Sequence, residues 1–357
     1  MVTYKKAKFI IDLKKAELIA KKVKFILQNV PNSKLFFSLK SQRDEKVIST
    51  ISKIVDGFDA SSFNEYIYIK KLFPKKKISV TGESMLMEEI IQIYNSGDLY
   101  NFSSLRQLKE FSEKYIKEVN IGIRLETDYY GRIMGIADNE EFFEFFLNNK
   151  NIKLVNIHVH HPQKYKNDVR SSIFKKILKI IQKFKKANVY IPQSINLGGG
   201  LDELYREKCM NTYLLEVNNF KKRYELISKL RVIIIFEPGE LISRGISELY
   251  TSIIDVKEIK HNSYQLTVNS SKFILFPWYN PQLSITPTNI TNGNSTMVNV
   301  KIYGFSNFSD DYYGEYMLPK KILNIGEELI FKNTGAYSMS MRSIFQLLEY
   351  PDIIYLE

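Results

Sequence analysis

Between residues 34 and 240 the chain alternates short apolar runs with amphipathic ones, and this limits the possible folds more than any other feature. Candidate strands are KLFFSLK (34–40), GFDASS (57–62), KKISVTG (76–82), NIGIRLE (120–126), LVNIHVH (154–160), VYIPQSINLGGG (189–200) and RVIIIFEPGE (231–240). Between them lie helical patterns at 43–55, 64–73, 85–97 and 171–189. In the last, Ile173, Ile177, Ile180, Ile181 and Phe184 share one face and the lysines take the other. Strands alternating with helices imply parallel β/α units, and about eight strands fit a closed α/β barrel, (β/α)8 and TIM-like. After about residue 245 the pattern changes. ISELYTSIIDVKEIK, TMVNVKIYGF and EELIFKNTGAYS are β-branched and aromatic, with turn signals between them, which predicts an antiparallel β-domain. The expected division is 28–245 for the barrel, with 1–27 and 246–357 forming the β-domain through an N-terminal strand at Phe9–Ile11. The stretch 287–296 reads as an exposed loop.

Composition narrows the setting. With 357 residues, 44% of them apolar, the chain can bury a large core. A single cysteine, Cys209, excludes an internal disulfide framework and any cysteine-built zinc site. No apolar run is long enough to span a bilayer, and MVTYKKAKFIIDLKKAE lacks the apolar core of a secretion leader, so a cytoplasmic setting without a membrane is expected. The net charge of +12 comes from scattered lysines on helix faces; it predicts a solvated basic surface and no nucleic-acid partner.

Four segments carry chemistry, three of them at predicted strand ends, where a β/α barrel builds its active face. Lys40 ends LFFSLK, and a desolvated amine there is a nucleophile for carbonyls. Gly198, Gly199 and Gly200 in INLGGGL either let the backbone approach a phosphate or make a plain tight turn. Glu237 follows five apolar residues and needs a partner when buried, either a structural cation or a protonated ring nitrogen. His158 and His160 alternate on a predicted strand and share a face, with His161 following; no carboxylate sits at ligand spacing, so no metal is expected.

Together and in this order, these segments resemble the fold-type III pyridoxal-phosphate decarboxylases, the group that acts on ornithine, arginine and diaminopimelate. LFFSLK resembles the strand ending in that family's Schiff-base lysine, which carries over to Lys40. GFDASSFNE resembles its aspartate-serine-glutamate segment, here Asp59, Ser61 and Glu65. HVH resembles the strand whose histidine stacks on the cofactor, with His160 as the match. INLGGGL resembles the phosphate loop, and EPG the turn whose glutamate pairs with the pyridine nitrogen, giving Glu237 and placing Gly239 among the cofactor-binding residues. TGAY resembles the motif whose tyrosine reaches the phosphate, here Tyr337. The resemblance implies a barrel plus β-domain, as in alanine racemase-like proteins, with pyridoxal 5'-phosphate as cofactor. It also implies a homodimer with shared active sites and decarboxylation of an amino-acid-like small molecule. The alternatives are a racemase or epimerase, disfavoured by Glu237, and a non-catalytic decarboxylase-like regulator.

The departures from the family pattern bear on the substrate. His161 and Pro162 stand where the family has glycine and serine. The arginine after EPG is Glu240, with Arg244 four residues on. In GFSNFSDDYY the family's cysteine is Asn307, the acidic residue that meets the substrate's far end is Phe308, and Asp311 matches the final aspartate. Asn269 and Phe276 replace an aspartate and an arginine. With Phe308, Phe276 and Glu240 in the substrate positions, an amino acid with an apolar or neutral far end is expected, or one that is carrier-bound or part of a natural product. Asn307 and Asp311 fall, with Lys40 and His160, in the expected catalytic set. Asn307 cannot return a proton as a thiol does. His161, Tyr313 or a water is the expected replacement; otherwise protonation goes to the cofactor carbon, giving partly oxidative turnover.

Overall fold

The computed structural model describes residues 5–129, 131–276, 278–284, 296–343 and 345–357. The loop expected at 287–296 lies, through residue 295, outside the described residues. Two compact units emerge. One comprises Ile19–Lys40 and Ile51–Leu241; the other comprises Met1–Leu18, Ser41–Thr50 and Ile242–Glu357. Ser41–Thr50, which in sequence lies inside 28–245, thus clusters with the second unit.

After strand β1 (Lys8–Asp12) and helix α1 (Leu13–Leu27), the first unit is built on eight parallel strands. They are β2 (Ser33–Ser38), β3 (Gly57–Ala60), β4 (Lys77–Val80), β5 (Leu99–Phe102) and β6 (Val119–Arg124), then, past a small hairpin of β7 (Thr127–Tyr129) and β8 (Arg132–Met134), β9 (Ile152–His158), β10 (Ser194–Asn196) and β11 (Ile233–Phe236). They close in the order β2-β3-β4-β5-β6-β9-β10-β11. The barrel is the expected fold. Helices fill the connections: α2 (Glu45–Ser52), α3 (Phe63–Leu72), α4 (Met87–Asn95), α5 (Leu105–Ser112), α6 (Glu140–Asn148), α7 (Asn167–Lys186), α8 (Leu201–Arg206) and α9 (Met210–Ser228). On α7, Ile173, Ile177, Ile180, Ile181 and Phe184 are all buried, as their spacing predicts.

Two strand assignments need correction. The strand of 154–160 ends at His158, so His160 lies beyond it and does not share a strand face with His158. The strand of 189–200 contracts to Ser194–Asn196, because Pro192 has no N–H to give to a ladder.

The barrel interior carries a polar layer that hydrophobic patterning does not reveal. Asn101 Nδ2 donates to Ser79 Oγ (3.1 Å) and Thr81 Oγ1 (3.0 Å), and its Oδ1 accepts from Asn156 Nδ2 (2.8 Å). Gly122 makes room for it: a Cβ there would lie 2.1 Å from Asn101 Oδ1. Gly122→Ala is therefore expected to expel Asn101 and strand its neighbours, costing about 2–4 kcal/mol in chemical denaturation. An unchanged midpoint would show that the layer repacks freely.

The second unit is a β-domain. Strand β12 (Ser247–Lys260) pairs antiparallel with β1, β13 (Ser263–Val268) and β17 (Glu328–Lys332). β14 (Gln282–Ser284), β15 (Met297–Tyr303) and β16 (Tyr312–Pro319) complete the main path, and β18 (Asp352–Leu356) pairs parallel with β1. The N-terminal strand thus lies in this sheet. Leu249, Leu266, Val300, Ile302 and Phe331 form its core.

Candidate active site

Each site side chain of the barrel unit sits at or just past the C-terminal end of a strand. β2 ends at Ser38, and Lys40 lies on the following 3-10 turn, exposed to solvent. The sequence led to an expectation of a buried amine here, and the side chain is instead exposed. Ser38 Oγ donates to Asp59 Oδ2 (2.7 Å) at the end of β3. Burial, reinforced by the charge of Glu237, pushes the Asp59 carboxyl up to about 6; Lys40 pulls the other way. Ser61 and Glu65 serve locally. The Ser61 N–H donates to the Glu65 carboxylate (2.7 Å) at the start of α3.

Glu237 follows β11 and is 3% exposed. Asn196 Nδ2, at the end of β10, donates to its Oε1 (2.5 Å). His158 Nε2 stands 3.4 Å from its Oε2. Burial pushes the His158 imidazole down to about 3, so it is neutral and no ion pair forms. Burial also raises the Glu237 carboxyl, against the pull of Asn196 and Lys40. No structural cation is bonded to Glu237 among the described residues. His158 Nδ1 is buried with no hydrogen-bond partner among the described residues. His160 lies against the glycine loop: a Cβ on Gly198 would come 2.9 Å from His160 Nδ1. Burial and the nearby cations of Lys164 and Lys40 hold its imidazole well below the ordinary range. Gly198 (φ +65°) and Gly200 (φ +78°) adopt conformations that favour glycine, and a Cβ on Gly199 would lie 2.8 Å from the Glu237 carbonyl.

A carboxylate for a pyridine nitrogen, an amine at the mouth, a side-chain-free cradle and an orphaned imidazole nitrogen match the donor set that pyridoxal phosphate requires. Sequence reasoning singled out Lys40, Asp59, His160, the glycines and Glu237, and the fold brings these together. It noted His158 in the HxH spacing but chose His160 for the site, and it overlooked Asn196, Ser38 and Lys164. Gly239 is a buried bend before the short helix that Glu240 opens, and Glu240 is half-buried.

In the β-domain, Tyr337 takes a left-handed backbone (φ +59°), uncommon for an aromatic residue, and its N–H donates to the carbonyl of Ser41 (2.6 Å). Phe276 is buried against Tyr279 and Tyr337. Asp311 is fully buried, and its carboxylate accepts the N–H groups of Lys272 (2.6 Å) and Ser306 (3.1 Å), which holds the loop carrying Asn307 and Phe308. Phe308 is 49% exposed and packs with Phe273 and Phe345. Asn269 bonds Thr251, Ser252 and the Lys5 carbonyl. Tyr313 is buried in the β-domain core, bonded to Ser270 and stacked on Phe331, so it is no proton donor to a substrate.

Residues 16–244 match the family described as "Pyridoxal-dependent decarboxylase, pyridoxal binding domain". The chain belongs to the pyridoxal-dependent decarboxylases. It is a carboxy-lyase whose cofactor is pyridoxal phosphate, and its substrate is an amino acid or an amino-acid derivative. The racemase and regulator alternatives are not favoured. A Staphylococcus aureus 2-[(L-alanin-3-ylcarbamoyl)methyl]-2-hydroxybutanedioate decarboxylase is 22% identical over 364 residues, 91% of this chain and 88% of that protein. The Paramecium bursaria Chlorella virus arginine decarboxylase bound to agmatine superposes with a TM-score of 0.77 at 20% identity, covering 99% of this chain and 96% of that one. Helicobacter pylori diaminopimelate decarboxylase complexed with L-lysine gives 0.78 at 20% identity over 99% and 92%. None of the described helices of this decarboxylase is long and apolar enough to cross a membrane.

Proposed function

We propose that this decarboxylase acts on an α-amino acid whose far end carries no cation: an apolar side chain, or an amide-linked acyl group of the kind found in natural products or on carriers. The observation that carries this reading is Phe308. The family pattern has an acid there, whereas here an exposed phenyl ring packs with Phe273 (5.9 Å) and Phe345 (5.8 Å). A cationic substrate end brought to this cluster loses water without gaining a counter-charge. The Staphylococcus aureus relative, named for an amide-linked hydroxybutanedioate substrate, supports an amino-acid derivative. The Asn307–Asp311 loop is read as reaching the active site of a second copy, in a homodimer with shared sites.

In the barrel, Lys40 is read as the amine that carries the cofactor and yields it to the substrate's amine. Bound pyridoxal phosphate supplies an electron sink for the carbanion left when carbon dioxide departs. Glu237, held by Asn196, would keep a proton on the ring nitrogen of the bound cofactor. Neutral His158 and His160 would lie against the cofactor without contributing charge, and Asp59, fixed by Ser38, feels the charge of Lys40. Gly198–Gly200 would receive the cofactor's phosphate. The returning proton comes from His161 or a water, Tyr313 being excluded by its burial.

Steady-state assays are expected to show poor turnover of lysine, ornithine, arginine and diaminopimelate, and better turnover of neutral or acylated analogues. Efficient use of any of the four refutes the reading. Phe308→Asp is expected to raise kcat/KM for a cationic amino acid about tenfold, the worth of one partly exposed charge pair. No gain for any cationic substrate would remove Phe308 from the specificity site.

A further inference from the structure

The most deeply buried amine of the barrel site is not Lys40 but Lys164, at 2% exposure. It lies in the loop between β9 and α7, where the resemblance leads one to expect a glycine-serine phosphate contact and the chain instead has His161 and Pro162. Lys164 Nζ donates to the carbonyls of Leu197 and Gly199, the latter at 2.8 Å. A trans peptide points its N–H opposite to its C=O. Holding these two carbonyls therefore turns the N–H groups of Gly198 and Gly200 the other way. The Gly198 N–H meets Asn196 Oδ1 at 2.9 Å, and that of Gly200 is presented on the side away from the amine. The lysine is itself anchored. Arg170 Nη1 donates to the carbonyls of Lys164 (2.9 Å) and Tyr165 (2.7 Å), and Arg170 Nη2 pairs with Glu216 (2.9 Å). A line of bonds thus runs from Glu216 on α9 through Arg170 on α7 to the glycine loop.

We propose that Lys164 is the positioning residue of the phosphate cradle: it clamps the glycine loop in its receiving conformation from the carbonyl side, and its positive charge acts across the loop on a phosphate held at the N–H side. This rests on the reading of Gly198–Gly200 as the cradle. Burial pushes the Lys164 amine down to about 7, with Glu237 pulling it back up, so the charge is available near neutrality and is lost as pH rises. A phosphate dianion favours the charged amine. Affinity for the phosphorylated cofactor should therefore decline as pH climbs past this value.

The other groups facing Lys164 do not mimic this trend. His158 and His160 are already neutral, Asp59 titrates near 6, and Arg124 keeps its charge. His161 Nδ1 accepts the Gln163 N–H (3.1 Å). Lys40 and Glu237 meet the aldehyde and ring ends, which pyridoxal and pyridoxal phosphate share.

The test is the ratio of the affinities of the cofactor-stripped full chain for pyridoxal phosphate and for pyridoxal, read from absorbance titration. Lys164→Met is expected to lower this ratio about tenfold while leaving pyridoxal affinity nearly unchanged. In the wild type the ratio should fall several-fold between about pH 7 and about pH 9, above the phosphate's own second ionisation. An unchanged ratio in Lys164→Met, or equal weakening of both compounds, overturns the assignment. If that variant fails to fold, a pH-independent ratio in the wild type overturns it equally. Gly199→Ala separates the two readings. If it lowers the ratio and Lys164→Met does not, only the lysine's role falls; if neither does, the cradle itself is misplaced.

Discussion

Lys40→Ala is expected to abolish decarboxylation and to remove the visible absorption of the protein-bound cofactor. The amine is exposed at the barrel mouth, and its charge is felt by Asp59, His158, His160 and Glu237. This exposure supports reading it as the amine that condenses with an aldehyde. Lys164, the other amine nearby, is spent on two loop carbonyls. Covalent attachment splits a difficult step into easier ones, so its loss removes several orders of magnitude in kcat. The variant should keep its melting temperature, because an exposed side chain contributes little to packing. A purified Lys40→Ala protein that retains the absorption band, or measurable turnover with it, would move the covalent linkage elsewhere.

Glu237→Gln is expected to lower kcat about a hundredfold, the scale of losing one preorganised electrostatic contact in a water-poor site. Its effect on stability separates two roles that the residue type alone leaves open. A structural ion pair, once cut, strands a buried charge and costs several kcal/mol. The neighbours of Glu237 are instead the Asn196 amide and an imidazole whose basicity burial has removed. Replacing a carboxylate already raised by burial with an amide should then leave the apoprotein as stable as before, or more so. A large fall in melting temperature with little change in kcat would reverse the assignment.

Reach in sequence marks what could be read without the fold. The barrel was legible because parallel strands buried on both faces appear as apolar runs, and the intervening helices show their stripe, as on α7. Lys40, the glycines and Glu237 were legible because each ends such a run. His160 was placed on the wrong structure by its spacing: HxH looks like strand alternation, but the ladder stops at His158 and the chain turns toward the glycine loop. Tyr313 looked available because the local pattern does not distinguish a strand's core face from a site face.

The order of apolar runs along the chain determined the class of fold and singled out Lys40 and Glu237 as candidates at strand ends, and the resemblance marked Phe308 where the family has an acid, since these are matters of residue type at fixed positions along the chain. Tertiary structure decided which amine is buried, which imidazole stands by the carboxylate, and that among the described residues no structural cation is bonded to it. Those properties depend on solvent exclusion and on contacts between residues such as Lys164 and Gly199, or Asn196 and Glu237, which only barrel closure brings together.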